Sequence, residues 1–371
     1  MFADVPGQQL AKSYFAGVLE RGPGHAYLLA GPEGLGKRAF ALELAGALVT
    51  SCGGCGTCDA CERVRRAVHP DLAIVEREGE FIRIEQVQRV IADLRLKPFA
   101  ATRRVWVVFE PERFNVQAAN TFLKSLEEPP SHVHFILVSD APERVLPTIV
   151  SRCQVVDFRP VADDELAAFL HTRQGLATDD ADIYGRLARG SIGRALRLVD
   201  DARGAQYRRR YLRLAAGVAL HDREAERRFV DAVLEAEEAA TEKVAAQAAE
   251  RREALERIVQ DSTERDWRLK ALEGQARRET QRVSRLACLD AVDHLIAWLR
   301  DIWAVGLDGE EAVWNRDRLD ELRHAAVARP ELYARLLGVV GGTRKDLFLN
   351  VDRELALRAM FARFEEVWEG A

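Results

Sequence analysis

The sequence predicts an α/β fold in the first part of the chain, followed by a part that contains helices only. Short apolar runs alternate with amphipathic segments as far as Phe158, which is the pattern of parallel strands connected by helices that cover both faces of a sheet. The composition changes at Pro160, because the next proline is Pro330 and the residues between them are rich in Ala, Leu, Glu and Arg. Such residues favour helices, so we expect a small helical bundle and then an all-helical C-terminal part.

Composition and charge exclude several classes of protein. The chain has 371 residues, enough for two or three domains that each bury a core. Its net charge of −5 argues against a wholly electrostatic nucleic-acid binder. No apolar run approaches the roughly 20 residues that span a membrane. The N-terminal residues carry an acid and no apolar core, which argues against a secretory signal, so we expect a cytoplasmic protein.

The elements of the first part are predicted from apolar runs and helical periodicity. The helix over Glu85–Leu94, for example, places Val87, Val90, Ile91 and Leu94 on one face. Five segments favour strands and bracket the helices between them. The predicted strands are His25–Ala30, Leu72–Val75, Val105–Phe109, His134–Val138 and Gln154–Phe158, and the other predicted helices are Gln8–Glu20, Ala39–Val49 and Asn115–Glu127.

The second part is predicted to be helical throughout. The segment Val233–Arg285 is highly charged, with apolar residues too sparse for a regular heptad, so we expect two long, partly solvated helices that could form an antiparallel hairpin. Asp261–Thr263 offers caps for the second of them. Leu286–Val305 is more apolar, and its Trp298 and Trp303 are predicted core residues. The remaining predicted helices are Asp163–His171, Asp182–Ala188, Ile192–Val199, Asp317–Val327, Glu331–Val339 and Asp352–Trp368.

The first chemical motif lies between the first strand and the helix that follows it. Gly31, Gly36 and Lys37, with Gly34 between the glycines, have the spacing of a loop whose backbone N–H groups surround a phosphate at a helix N-terminus. The next position normally supplies a hydroxyl that ligates the Mg²⁺ of a bound nucleotide, but here it is Arg38. A guanidinium repels Mg²⁺, so the loop suits phosphate but not metal-assisted hydrolysis.

The second motif is a group of four cysteines at uniform three-residue steps. With no export signal, such a group favours metal binding over disulfides, and the glycines between the cysteines allow a tight turn. Four thiolates suit a structural Zn²⁺. The alternatives are an iron–sulfur cluster, although the usual x₃-C-P continuation is missing, and an empty site. The predicted ligands are Cys52, Cys55, Cys58 and Cys61.

Taken together, these segments resemble the delta-prime family of bacterial DNA polymerase III clamp-loader subunits, which are AAA+ proteins. Each motif alone is weak, but jointly they are specific and they span about the first 200 residues. The matching stretches are Gly7–Gln8, His25–Pro32, the cysteine group followed by His69–Asp71, Ala119–Pro130, Ser151–Cys153 and Gly190–Arg194, with Trp298–Asp301 as the best match beyond them.

The resemblance implies three domains of a subunit in a five-membered ring. These are an AAA+ nucleotide-binding-like domain with a zinc knuckle over residues 1–159, a helical lid over 160–203, and a helical collar that mediates oligomerisation over 204–371. Gamma and tau are the subunits that hydrolyse ATP in such rings. The implied partners are gamma or tau, the delta subunit and, through the ring, the sliding clamp and primed DNA.

The resemblance also implies roles for individual residues. Delta-prime-like chains do not usually hydrolyse ATP themselves but supply an arginine finger to a neighbouring ATPase subunit, and here that arginine is Arg152. Taken alone, an arginine at the start of a strand is more typical of a solvated charge or of a partner for a nearby acid. Phe109 aligns with the Mg²⁺-binding acid of an active ATPase and Glu110 with the water-polarising one. A register shift by one would put Glu110 and Pro111 there, and the site would still be broken. Arg194 aligns with a lid arginine that contacts phosphates; alone, it reads equally well as a solvated arginine at a helix start.

Three functions follow as hypotheses. The first is a non-hydrolysing subunit of the clamp loader within the DNA polymerase III holoenzyme. The second is an active gamma- or tau-type ATPase that tolerates Arg38, which Phe109 opposes. The third is a zinc-bearing DNA-binding protein, which the acidic composition opposes. Because Lys37 and every loop glycine are present, ATP binding stays open.

Overall fold

The computed structural model describes residues 2, 5–77, 81–94, 96–199, 202–258, 262–326, 330–347 and 351–370. These residues form two compact units, Met1–Arg197 and Leu198–Ala371. The first is an α/β unit and the second is helical, as the sequence predicts. Among the described helices, none combines the length and the apolar character that a membrane crossing requires.

A five-stranded parallel sheet forms the centre of the first unit. Its order is β2-β3-β4-β1-β5, so the first strand lies between the fourth and the fifth. Leu28 of the first strand is in register with Leu137 on one side and Val155 on the other. All five predicted strands are confirmed. Their bounds are β1 Ala26–Ala30, β2 Leu72–Val75, β3 Arg104–Phe109, β4 Val133–Ser139 and β5 Gln154–Asp157.

Nine helices accompany the sheet in the chain as far as residue 199, among the residues described. Two of them, Asp59–Arg65 and Pro147–Val150, were not predicted, although the acids Asp59 and Glu62 in the first turn of the former favour a helix start. Asn115 caps the helix after β3 by accepting a hydrogen bond from the N–H of Ala118 at 2.7 Å. The helices are α1 Gln9–Arg21, α2 Lys37–Val49, α3 Asp59–Arg65, α4 Ile84–Leu94, α5 Val116–Glu127, α6 Pro147–Val150, α7 Asp163–Gln174, α8 Thr178–Ala188 and α9 Ile192–Val199.

The core of the α/β unit lies between the sheet and these helices. Every residue of β1 and β4 is buried, as expected for central strands of a parallel sheet that is covered on both faces. Phe122 of α5 meets Phe135 of β4 edge to face, with ring centroids 5.2 Å apart. Burial of one such ring contributes about 1.5–3 kcal/mol relative to leaving it in water. This packing fixes the position of α5 on the sheet.

The second unit contains six helices in its described residues. They are α10 Ala202–Ala219, α11 Arg223–Ile258, α12 Ser262–Gly306, α13 Leu319–Ala325, α14 Pro330–Asp346 and α15 Arg353–Glu369. Helix α10 was not predicted. Helix α12 continues for 45 residues without a break, so the charged segment and the apolar segment after it belong to one helix rather than two. Its single internal glycine, Gly274, costs only about 1 kcal/mol and does not end it.

Helices α11 and α12 form an antiparallel hairpin, as predicted. Two contacts join the helices. Ser284 of α12 donates a hydrogen bond to Glu237 of α11, and Arg252 of α11 lies 3.9 Å from Glu273 of α12, closer to the turn of the hairpin. Trp298 is buried in the helical core at 1% exposure, but Trp303 is 38% exposed, so its prediction as a core residue was wrong. The two side chains are five residues apart, which is about 140° around the helix, so Trp303 points away from the face that Trp298 buries.

A polar cluster holds the segment after α12 in the helical unit. Arg208 of α10 donates to Asn315 at 2.9 Å and to both carboxylate oxygens of Asp317 at 2.8 and 2.9 Å. Asp301, which is fully buried, accepts the N–H groups of Trp314 and Asn315 at 3.0 and 2.8 Å. Burial raises the pKa of Asp301, and these hydrogen bonds offset part of that effect. The cluster is satisfied from several sides and therefore specifies one path for this segment.

Candidate functional site

The phosphate-type loop lies at the carboxyl edge of the sheet. It connects β1 to α2, whose first residue is Lys37. Gly31, Gly34 and Gly36 all have positive φ angles, of 144°, 88° and 81°. Side chains other than glycine rarely adopt this backbone, so the tight turn requires these residues. Because β3 and β4 are parallel to β1, the residues that follow them lie at the same edge.

The ammonium of Lys37 is buried and bound within its own unit. It donates to the carbonyl oxygens of Gly31, at 2.6 Å, and Pro32, and it lies 2.7 Å from a carboxylate oxygen of Asp140. An ammonium has three donors, so these three partners satisfy it fully. Sequence reasoning missed Asp140. Its position directly after the buried strand β4, opposite the loop, is the signal that could have found it.

The middle of the loop is covered by the segment that leads into α9. The carbonyl of Gly34 accepts a hydrogen bond from the N–H of Gly193 at 2.9 Å and another from the Ser191 hydroxyl at 3.4 Å. A Cβ atom on Gly34 would lie 2.2 Å from the Ser191 oxygen, and a Cβ on Gly36 would lie 3.1 Å from Ile192. The loop and this segment are therefore in direct backbone contact.

Arg194 is the fourth residue of the same segment. Its side chain is only 6% exposed, and its N–H donates to the Ser191 hydroxyl at 3.2 Å. The alternative interpretation of a solvated arginine at a helix start does not describe this side chain. The structure thus brings Gly31, Gly34, Lys37 and the segment Ser191–Arg194 together at the carboxyl edge of the sheet.

Arg38 and Phe109, the two residues that the resemblance aligns with Mg²⁺-binding positions, contact each other. Arg38 lies 4.0 Å above the ring of Phe109 and pairs with Glu76 at 2.5 Å. Glu110, directly after β3, pairs with Arg77 at 2.7 Å. A cation over an aromatic face is a stable arrangement, and neither the guanidinium nor the ring offers an oxygen ligand to a divalent cation.

The four cysteines of the second motif lie close together. Their sulfur atoms are all within 4.8 Å of one another, and Cys52 is 3.5 Å from both Cys58 and Cys61. Helix α3 carries Cys61, while Cys55 lies in the glycine-rich turn before it. Hydrogen bonds with the Thr50 hydroxyl and from the N–H of Cys55 lower the pKa of the Cys52 thiol to about 5. Tetrahedral bonds of about 2.3 Å to one ion place sulfurs about 3.8 Å apart, so the cluster could bind a metal.

Arg152 lies at the opposite, amino edge of the sheet. It follows α6 and precedes β5, and its side chain is one-third exposed. One guanidinium nitrogen donates to the Thr148 carbonyl at 3.0 Å, and another pairs with Glu127 at 2.5 Å. These groups border an open cleft of about 570 Å³, lined by His25, Leu126, Glu127, Ser151, Arg152, Cys153 and Gln154. Sequence reasoning did not single out Glu127.

Comparison with known proteins places this geometry in context. Residues 7–162 match the family described as "DNA polymerase III, delta subunit". The chain is 40% identical over 158 residues to the DNA polymerase III subunit delta' of Pseudomonas aeruginosa. This alignment covers 41% of this chain and 48% of that protein. The resemblance to delta-prime subunits is confirmed.

Two other proteins are similar to the delta-prime-like chain. It is 28% identical over 220 residues to the DNA polymerase III subunit tau of Bacillus subtilis, covering 54% of this chain and 37% of that protein. The matched region thus spans less than half of either relative's length. A crystal structure of a DNA polymerase III gamma subunit-related protein from Thermotoga maritima aligns over 95% of this chain and 98% of its own, with 19% identity and a TM-score of 0.43.

We predict that Gly34→Ala destabilises the α/β unit more than a matched glycine substitution does. Alanine at φ 88° is strained, and its Cβ would meet the Ser191 hydroxyl, so we expect a loss of about 2–3 kcal/mol. Gly175→Ala is the control, since φ there is 70° but the space is open, and about 1 kcal/mol is expected. Urea unfolding followed by circular dichroism measures both.

A double variant tests the origin of the effect. Ser191→Ala removes the oxygen that clashes, so it should recover the steric part of the loss in the Gly34→Ala protein. Equal losses for Gly34→Ala and Gly175→Ala, or no recovery in the double variant, would contradict close packing of the loop against this segment.

Proposed function

We propose that this chain is a non-hydrolysing, delta-prime-type subunit of a replicative clamp loader, and that it supplies Arg152 to the ATP site of a neighbouring subunit. The observation that carries the proposal is the position of Arg152. It precedes β5 at the amino edge, whereas the phosphate-type loop follows β1 at the carboxyl edge. The five residues of β1 separate the two edges by about 16 Å. Arg152 therefore cannot serve the loop of its own chain, and its side chain, one-third exposed, lies where another subunit could reach it.

The chain's own loop supports the non-hydrolysing part of the proposal. Phosphoryl transfer depends on Mg²⁺ and on groups that neutralise charge on the phosphates. Here Arg38 lies over Phe109 at the metal position, and Lys37 is bound to Asp140 rather than available to a phosphate. Nucleotide binding would require Lys37 to leave three partners and the Ser191–Gly193 segment to move from the loop.

The similarity to delta-prime and tau proteins suggests the partners. We propose that the chain assembles with gamma or tau ATPase subunits and a delta subunit, and acts through that ring on the sliding clamp and primed DNA. It would do so in the cytoplasm, as a component of the DNA polymerase III holoenzyme. The domain division into an AAA+ module, a lid over 160–203 and a collar over 204–371 is part of the same proposal.

The cysteine cluster is proposed to hold one structural Zn²⁺. Four sulfur donors at near-tetrahedral separations, with no other ligand type among them, suit a closed zinc site rather than a catalytic one. The metal would connect the turn after α2 to Cys61 on α3. Its contribution would be to the folding of this excursion, because a closed site leaves no position for a substrate.

We predict about one zinc per chain in protein that has been purified without chelators. Elemental analysis measures the zinc content, and Cys55→Ser together with Cys58→Ser should abolish it, since two ligands cannot retain a structural ion. Cys153→Ser, which changes a cysteine outside the cluster, is the control and should leave the content unchanged. Iron with a visible absorption band would contradict the zinc assignment.

We predict no ATP hydrolysis by the isolated chain above background. The second candidate function, an active gamma- or tau-type ATPase, is favoured by the complete set of loop glycines and Lys37. A steady-state assay with Mg²⁺ and primed DNA separates the two functions, with Lys37→Ala as the control for contaminating activity. Turnover that disappears in the Lys37→Ala protein would establish the second candidate and refute the first.

We predict that Arg152→Ala lowers DNA-stimulated ATPase activity and clamp loading in a reconstituted complex. An arginine finger supplied to a neighbouring GTPase site raises the rate by about 10³-fold or more. Only the site that faces this chain would lose that rate, so bulk hydrolysis should fall partially and clamp loading further. Arg152→Lys keeps the charge but loses the planar fork, and should restore little.

Matched controls separate this effect from a loss of assembly. Arg103→Ala changes an arginine just before β3, at the same edge of the sheet, and should leave both rates unchanged. Size-exclusion chromatography checks that each ring forms. A normal Arg152→Ala ring with wild-type hydrolysis and clamp loading would show that Arg152 is not a finger.

A further inference from the structure

The end of helix α5 presents two carboxylates where the helix dipole disfavours them. Glu127 is the last residue of α5 and Glu128 follows it, although the C-terminus of a helix stabilises cations rather than anions. Carboxylates at this end of a helix are electrostatically unfavourable, so we expect another interaction to compensate for them. For Glu127 the structure provides one, because its carboxylate pairs with the guanidinium of Arg152 at 2.5 Å.

Arg152 is held from two directions. One terminal nitrogen meets Glu127, and the other donates to the Thr148 carbonyl at 3.0 Å and to the Ser151 hydroxyl at 3.4 Å. Contacts on both terminal nitrogens fix the plane of the guanidinium. Within the described part of the chain, these contacts use three of its five N–H groups. The others can meet a phosphate while the two terminal nitrogens stay in place.

The partner carboxylate is itself well anchored. Phe122 and Leu126, on the buried face of α5, are each 1% exposed, and Pro129 and Pro130 follow the end of the helix. Glu127 therefore projects from a fixed point of the core. The pair is 33% and 48% exposed, so it contributes little to folding stability. Its effect is on the orientation of the arginine.

We infer that Glu127 is a positioning residue for Arg152, which it keeps aligned at the mouth of the cleft before the neighbouring subunit's ATP arrives. This inference rests on the proposed function of Arg152. Arginine has many rotamers, and ordering one such side chain during the reaction slows it by about 3- to 10-fold. A carboxylate that has already ordered the side chain removes that loss, in the way that outer carboxylates orient catalytic groups elsewhere.

The test uses the reconstituted complex and the part of the ATPase rate that Arg152→Ala removes. Glu127→Ala should lower the kcat of this part by about 3- to 10-fold and leave the KM for ATP unchanged, because Glu127 does not touch the nucleotide. Glu127→Gln keeps a hydrogen-bond acceptor and should retain at least half of the rate. Glu128→Ala, which removes the adjacent exposed carboxylate, is the matched control and should equal the wild type.

A double variant shows whether Glu127 acts through Arg152. In the Arg152→Ala background, Glu127→Ala should have no further effect, whereas an independent structural role would lower the rate by the same factor in both backgrounds. Size-exclusion chromatography and circular dichroism confirm that each variant folds and assembles, which is expected because Glu127 is exposed.

The outcomes distinguish this inference from the proposed function beneath it. If Arg152→Ala matches the wild type, the finger assignment fails and the role of Glu127 fails with it. If Arg152→Ala is impaired but Glu127→Ala is within twofold of the wild type, only the role of Glu127 is overturned. A faster Glu127→Ala complex, or a Glu127→Gln complex as slow as Glu127→Ala, also overturns it, since the carboxylate would then withhold the arginine or act by other means.

Discussion

The contact between Lys37 and Asp140 organises the carboxyl edge of the sheet. A buried ammonium needs partners, and this one finds two loop carbonyls and a carboxylate that follows β4. The pair thereby connects the end of β1 to the end of β4. Removing Asp140 alone would leave a buried cation short of a partner, which is more costly than the exposed ion pairs elsewhere on the surface. The loop's glycines therefore belong to a structure in which the charge and the hydrogen-bond donors of Lys37 are already paired within the chain.

The polarity of a parallel sheet explains why one chain can combine a closed loop with an available arginine. All strands end at one edge and begin at the other, so residues after β1 and β4 meet each other while residues before β1 and β5 meet elsewhere. Lys37 belongs to the first group, and Arg152, with His25 in its cleft, belongs to the second. Changes that close the loop need not disturb the arginine, because the length of β1, about 16 Å, separates the two edges.

Sequence reasoning predicted the elements well where periodicity was strong, and less well where tertiary contacts decide. All five strands follow from apolar runs, and the cysteine cluster follows from spacing alone. The prediction for Trp303 was wrong because the apolar stretch around it has side chains on both the buried and the exposed face of one helix. Asp140, Ser191 and Glu127 were missed because each is an ordinary polar residue in sequence. Their importance comes from partners 25 to 157 residues away, a separation that local patterns do not encode.

The closed loop and the held arginine are two separately fixed features of the α/β unit. The carbonyl of Gly34 accepts a backbone hydrogen bond from Gly193, so the loop after β1 and the start of α9 are connected through main-chain atoms and not only through flexible side chains. A subunit that opened and closed around its own nucleotide would move such a joint in each cycle; here Ser191 and Ile192 pack against the glycines and oppose that motion. At the other edge of the sheet, Glu127 and Thr148 hold Arg152. For the proposed role at a neighbouring catalytic site, such a fixed donor is an advantage, because a group that is already oriented loses little entropy when the phosphate arrives.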